Sequence, residues 1–208
     1  AIDSISWKRL EKGVQIYANT HDPQNNTRYY RWDYDETWEF HSPYISDFDY
    51  VNNRIVERER SPNITYCWNS RSSNNILLGS SAKLQNDVIF EAPLTLIPNR
   101  SWLLSVKYSI LVKQYSLNEQ SYQYWQNMLK NSEKVGSIFD PQPTETKGNL
   151  YAAADPNEIV IGYISAGTIE EKRIFISSAQ VPNWGYRHGC LEQIVVDHPD
   201  SLEQIFGF

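Results

Sequence analysis

Carboxylates crowd the stretch from Asp33 to His41, where Asp33, Asp35, Glu36 and Glu39 alternate with aromatic and polar residues. On an extended strand Asp33, Asp35 and Glu39 share one side, and hard carboxylate oxygens of this kind are what calcium and magnesium select. The spacing matches no calcium-binding loop. The plainer reading is a solvated strand face, paired across to Lys or Arg on a neighbouring strand. A second acidic group, Asp47, Asp49, Glu57 and Glu59, is interleaved with Tyr50, Arg54, Arg58 and Arg60, and reads as mixed charge on a loop or edge strand.

Covalent chemistry finds little to work with. Gly79-Ser80-Ser81 lacks the G-x-S-x-G spacing that exposes a nucleophilic serine at a strand-to-helix elbow. His188-Gly189-Cys190 places an imidazole near a thiol, but that thiol is withdrawn if Cys190 is in a disulfide. The histidines, His21, His41, His188 and His198, form no H-E-x-x-H pattern, and the cysteines form no C-x-x-C, so zinc is not indicated. Scattered glycines give no phosphate-cradling loop ahead of a helix. The expectation is therefore no catalytic residues, no cofactor and no metal, in a protein that is not an enzyme.

The two cysteines, Cys67 and Cys190, are far apart in the chain. A disulfide between them is one reading; closing a loop of about 120 residues would remove roughly 5 kcal/mol of unfolded-chain entropy, and such bonds persist only outside the reducing cytosol. Two buried thiols are the other. Sequons beginning at Asn25, Asn63 and Asn99 fit a secreted surface but arise by chance in an Asn-rich chain.

The elements that must position these residues are mostly strands. Of the 208 residues 13% are aromatic, with 14 Tyr and 7 Trp against one Met, a bias toward side chains that pack on a pleated surface. Tyr30 to Phe40 alternates strictly: Tyr30, Trp32, Tyr34, Trp38 and Phe40 fall on one face with Glu36 as the polar intruder, and Arg31, Asp33, Asp35, Thr37 and Glu39 on the other. Trp102 to Val112 repeats the pattern and reads as a central strand. Shorter candidates are Val14 to Ala18, Ile64 to Trp68, Ile76 to Leu78, Val88 to Phe90, Ile159 to Ser165 and Arg173 to Ser177, separated by turn-rich stretches. A helix over residues 117–135 is predicted from an S-x-x-E capping box at Ser116 and Glu119, with a stripe of Leu117, Tyr124, Trp125, Met128 and Val135 facing the sheet and a stop at Gly136. Asp140 to Thr144 is a proline-stiffened connector, and a second box, Ser201 to Gln204, opens a short terminal helix.

The fold class expected is mainly β: an antiparallel sandwich or barrel-like sheet with one prominent amphipathic helix. No composition shift or repeat divides the chain, so 1–208 reads as a single β-rich domain. A formal net charge of -6 disfavours a nucleic-acid partner, which needs clustered Lys and Arg. No apolar run reaches the about 18 residues of a membrane span. Neither end has the character of a natural terminus, and both are expected to be cuts in a longer protein. Tyr29, Tyr44, Tyr50, Trp184 and Tyr186 sit in polar, loop-like contexts and are the candidates for ligand or partner contact.

Longer motifs carry a resemblance. Tyr29-Tyr30-Arg31-Trp32, Thr37-Trp38-Glu39-Phe40, Tyr66-Cys67-Trp68, Tyr108 through Tyr115, Tyr122 to Trp125, Gly136 through Pro143 and Lys172 through Ile176 resemble the domain-of-unknown-function 4249 family of bacterial surface lipoproteins over essentially the whole chain. The resemblance implies a precursor with a lipoprotein signal and an immunoglobulin-like domain before Ala1, and a Cys-containing tail after Phe208, with which Cys190 could pair instead. It also implies attachment through an upstream lipid anchor at the outer membrane or cell surface of a Gram-negative bacterium, beside a TonB-dependent receptor. No catalytic residues are established for the family, so none carries over.

The first functional expectation is a non-enzymatic surface lipoprotein domain, an accessory partner of that outer-membrane receptor in nutrient capture. The alternative is a free-standing carbohydrate- or peptide-binding module, which requires a concave aromatic-lined groove rather than a flat apolar patch. A metal-dependent hydrolase would need the carboxylates between Asp33 and His41 to converge in a pocket.

Overall fold

A computed structural model describes residues 1–43, 47–52, 54–58, 65–133, 148–155, 158–187 and 200–201. Within these, the strands are β1 (Ile2–Leu10), β2 (Gly13–His21), β3 (Tyr29–His41), β4 (Phe48–Val51), β5 (Arg54–Glu57), β6 (Tyr66–Ser72), β7 (Leu77–Ser80), β8 (Val88–Pro98), β9 (Lys107–Leu117) and β10 (Ile169–Ser177), with a helix α1 (Glu119–Glu133) between the last two. One sheet has the order β1-β2-β8; a second has the order β10-β9-β3-β6, with β7 also pairing β3; β4 and β5 form a separate hairpin. The pairings β1 with β2, β3 with β7 and β4 with β5 are antiparallel. The fold is mainly β and sandwich-like, as the alternating patterns require.

The chain divides into two compact units: Ala1–Glu36, Arg71–Leu96 and Ile110–Ile174 in the first, Thr37–Ser70, Ile97–Ser109 and Phe175–Phe208 in the second. The divisions fall inside β3, β6, β8, β9 and β10, so no linker composition marks them.

In the first unit two sheets bury facing sides. Val14, Ile16 and Ala18 of β2 are fully buried, as are Trp32 of β3 and Ile110 and Val112 of β9. A polar chain runs through this layer: Trp32 Nε1 donates to Gln114 Oε1 at 2.8 Å, Gln114 Nε2 to Thr20 Oγ1 at 2.9 Å, and Thr20 Oγ1 to the Ala1 carbonyl at 2.6 Å. Each donor of this chain of bonds thus finds an acceptor, as buried polar groups require. Nearby, the Tyr30 hydroxyl and the Ser81 hydroxyl both donate to the buried Asp87 carboxylate; burial first, then Asp87, pushes the Tyr30 phenol well above its ordinary range.

The second unit is built on aromatic contacts. Trp102 meets Trp38 and Phe40 edge-on at 5.3 and 5.0 Å between centroids, geometry that suits the ring quadrupole. Trp184 is buried and donates its Nε1 to the Ser101 carbonyl at 2.6 Å.

Three expectations need correction. The strand predicted from Trp102 starts only at Lys107, because the Ser101 hydroxyl accepts from the Leu103 N–H and closes a 3-10 turn over Trp102–Leu104. The helix is capped by Asn118 and not by Ser116: Asn118 Oδ1 accepts from the Ser121 N–H at 2.8 Å and its carbonyl accepts from Tyr122, while Ser116 lies in β9 and bonds Thr168 at 2.7 Å. Ile159 to Ser165 forms no strand; Asn149 holds it instead, accepting from the Ile164 N–H at 2.8 Å and donating to the Ile164 carbonyl at 2.7 Å. Val135, Gly136, the proline connector and most of the terminal helix lie outside the described residues.

Candidate functional site

Strict alternation along β3 sends Arg31, Asp33 and Asp35 to the face opposite Trp32 and Tyr34. Arg31 is held on that face by two rings. Its guanidinium carbon lies 4.4 Å from the Tyr115 centroid and 4.3 Å from that of Trp125, so β9 and α1 each contribute one cation–π contact. Nη2 also reaches Asp33 Oδ2 at 2.9 Å, and the side chain retains 17% exposure.

A second pair lies along the same face. Lys113 Nζ of β9 is 2.7 Å from Asp35 Oδ2, and the Ser72 hydroxyl donates to Asp35 Oδ1 at 2.6 Å. The Lys113 ammonium, and after it Ser72, hold the Asp35 carboxyl below its ordinary value; Asp35 in turn raises Lys113. Segment 72–76 is tied to β3 by the Tyr34 N–H donating to Ser73 Oγ at 2.9 Å and the Ser73 N–H donating to the Tyr34 carbonyl at 2.8 Å.

Together with Asn74, Asn75 and Ile76 these residues line a solvent-open groove of about 370 Å³ in the first unit. Its wall combines two cations, two carboxylates, hydroxyls, amides and two aromatic rings. Such a wall can hydrogen-bond and stack against a small polar ligand. No histidine or cysteine is among its described lining residues, and the Ser72 hydroxyl and Lys113 ammonium both engage Asp35.

The carboxylates flagged as possible metal ligands separate. Asp33 and Asp35 enter the groove, each already engaged by a cation of the chain. Glu36 turns to the buried face, where Arg71 donates to it, and Glu39 pairs with His41 at 2.9 Å. Among the described residues no group of three or more His, Cys, Asp and Glu is placed to hold a metal ion. In the second acidic patch, Arg58 pairs with Asp49 at 2.6 Å beside the β4–β5 hairpin.

Of the aromatic contact candidates, Tyr50 and Tyr186 are exposed, at 53% and 39%. Tyr29 is half-buried and lies 4.9 Å from Tyr122 of α1. Trp184 belongs to the core of the second unit and is not a surface contact, because its indole N–H needs the Ser101 carbonyl. Tyr44 lies outside the described residues. Cys67 is half-buried in β6, and Cys190, with His188, lies outside the described residues, so the geometry of the expected disulfide is not described.

Sequence reasoning placed Arg31, Asp33 and Asp35 on one wet face but missed the groove. Trp125, expected in a core stripe, is half-buried and stacks on Arg31; an arginine on the wet face of a strand and an aromatic-rich helix are the signals that point to such a contact.

The fold and groove define a β-rich domain with a small polar cleft beside its helix. A model of the family described as Domain of unknown function (DUF4249) matches residues 1–173. The chain belongs to this family. No curated protein and no solved structure matches it.

Proposed function

We propose that this chain is a non-enzymatic domain of a surface lipoprotein in the outer membrane of a Gram-negative bacterium, where it is an accessory partner of a TonB-dependent receptor in nutrient capture. The observation that carries the partner reading is a short stretch of the first unit, outside any sheet, in which Ile159, Ile161 and Ile164 are 76%, 79% and 69% exposed. Three large aliphatic side chains exposed within six residues are suited to contact with a protein partner. The extracytoplasmic setting also supports a disulfide of Cys67 with Cys190, or of Cys190 with a cysteine downstream, which peptide mapping without reductant would identify.

The test is co-purification of the full-length lipoprotein from detergent-solubilised outer membranes. A TonB-dependent receptor should be recovered in stoichiometric amount, and an Ile159→Ser/Ile161→Ser variant, altered only at exposed positions, should lose it. Recovery of the lipoprotein alone would contradict the partner reading. A second reading, capture of a small glycan or peptide, is favoured by the Arg31 groove, which is concave and aromatic-lined; it is compatible with the first, since a captured ligand can be handed to a receptor.

A further inference from the structure

Resting on the ligand-capture reading of the groove, we propose that the cleft beside β3 takes a short, neutral glycan, and not a charged ligand or a peptide. The charges on its wall balance, Arg31 and Lys113 against Asp33 and Asp35, and they are tied in pairs at 2.9 and 2.7 Å. An anion entering the cleft meets two carboxylates. A cation meets a guanidinium and an ammonium. Either finds a like charge held beside each opposite one, so the attraction of one member of a pair is offset by the repulsion of the other.

A sugar hydroxyl faces no such conflict, because it donates and accepts at once. Paired carboxylates keep spare lone pairs and the guanidinium keeps spare N–H groups, so hydroxyls can bridge the pairs without breaking them. Asn74 and Asn75, both exposed, add amides of the same double character. A peptide would ask for apolar side pockets to take alternate side chains; Ile76 is the sole aliphatic residue among the described lining residues.

Size and rigidity agree. The volume of about 370 Å³ lies at the small end of the range of about 300–1,000 Å³ that small-molecule sites occupy, which suits a ligand of one or two rings. The two rings that clamp Arg31, and the two hydrogen bonds that join Tyr34 to Ser73, one to the hydroxyl and one between backbones, fix the wall before a ligand arrives, so little ordering is left to oppose binding.

The experiment is a glycan array of neutral oligosaccharides with their sulfated and uronic-acid counterparts, run beside a peptide library, on the purified 208-residue chain, with hits followed by titration calorimetry. Neutral oligosaccharides should bind and their acidic counterparts should not. Asn75→Asp, at an exposed side chain, should weaken the neutral hit about tenfold by placing an unbalanced charge in the cleft. Asp33→Asn should weaken it too, and should create binding to the sulfated counterpart by freeing Arg31. Binding of acidic glycans or peptides by the unaltered chain, lost in Asn75→Asp, would overturn the ligand class while keeping capture. Neutral glycans bound with neither variant altered would overturn the site, and no binding of any probe would overturn capture itself.

Discussion

On the inner face of β3, Trp32 gives its indole N–H to Gln114, and Gln114 passes a hydrogen bond to Thr20, all three out of contact with water. One residue away on the outer face, Arg31 and Asp33 pair in reach of solvent, and Asp35 pairs with Lys113 of the same β9 that supplies Gln114. Both faces use polar groups in fixed geometry, but the medium changes their value. A buried hydrogen bond contributes mainly by what its loss would leave unsatisfied, whereas a half-exposed ion pair contributes little to stability and keeps spare valence for a ligand. One strand thereby separates a buried, hydrogen-bonded face from a half-exposed, ion-paired one, residue by residue.

The comparison breaks most visibly at Trp32. Trp32→Ala empties a fully buried site and is expected to cost about 3–5 kcal/mol, measured as a lower denaturant midpoint in equilibrium unfolding. Gly79 is next. It stands opposite Tyr30 in the β3–β7 register, and a Cβ there would lie 2.4 Å from the Trp32 ring; Gly79→Ala is expected to cost about 1–3 kcal/mol by forcing that ring from its seat, read by the same unfolding experiment.

How far the sequence discloses this arrangement depends on which forces set each part. The alternation of Tyr30 to Phe40 announces β3 and both its faces, because one sheet face is buried and the other is wet. Only Phe40 departs, being half-buried. β1 gives no such signal: its pairing with β2 shifts register between Ile2 and Ser4, so Ile2 and Ile5 are both buried although three residues apart. Ser116 and Asn118 are both good caps, and the choice between them falls to the Ser116–Thr168 bond, a contact 52 residues distant. Groove assembly is likewise tertiary. Arg31, Asp33 and Asp35 are legible as neighbours on a strand, but α1 brings Trp125, and the stretch after β6 brings Asn74 and Asn75, through contacts that no local pattern encodes.

The smallest effect sharpens the account of the outer face. Asp35 contributes its share of stability above about pH 4 and loses it as the pH falls through its lowered value; Lys113 contributes below about pH 10.4 and loses it as the pH rises through its raised value. The difference in Tm between the unaltered chain and Lys113→Met should therefore be small and flat from about pH 5 to pH 9, shrinking only outside that window.

Gln114→Leu and Asp33→Asn, compared in one buffer for unfolding midpoint and for affinity toward the ligand the groove selects, test the separation of the two faces most directly. Gln114→Leu strands the Trp32 indole N–H and is expected to lose about 1–3 kcal/mol of stability while its folded fraction binds normally. Asp33→Asn should change stability by about 0–1 kcal/mol and alter affinity and ligand charge preference. An Asp33→Asn protein as unstable as Gln114→Leu, with unchanged binding once corrected for unfolding, would contradict the account.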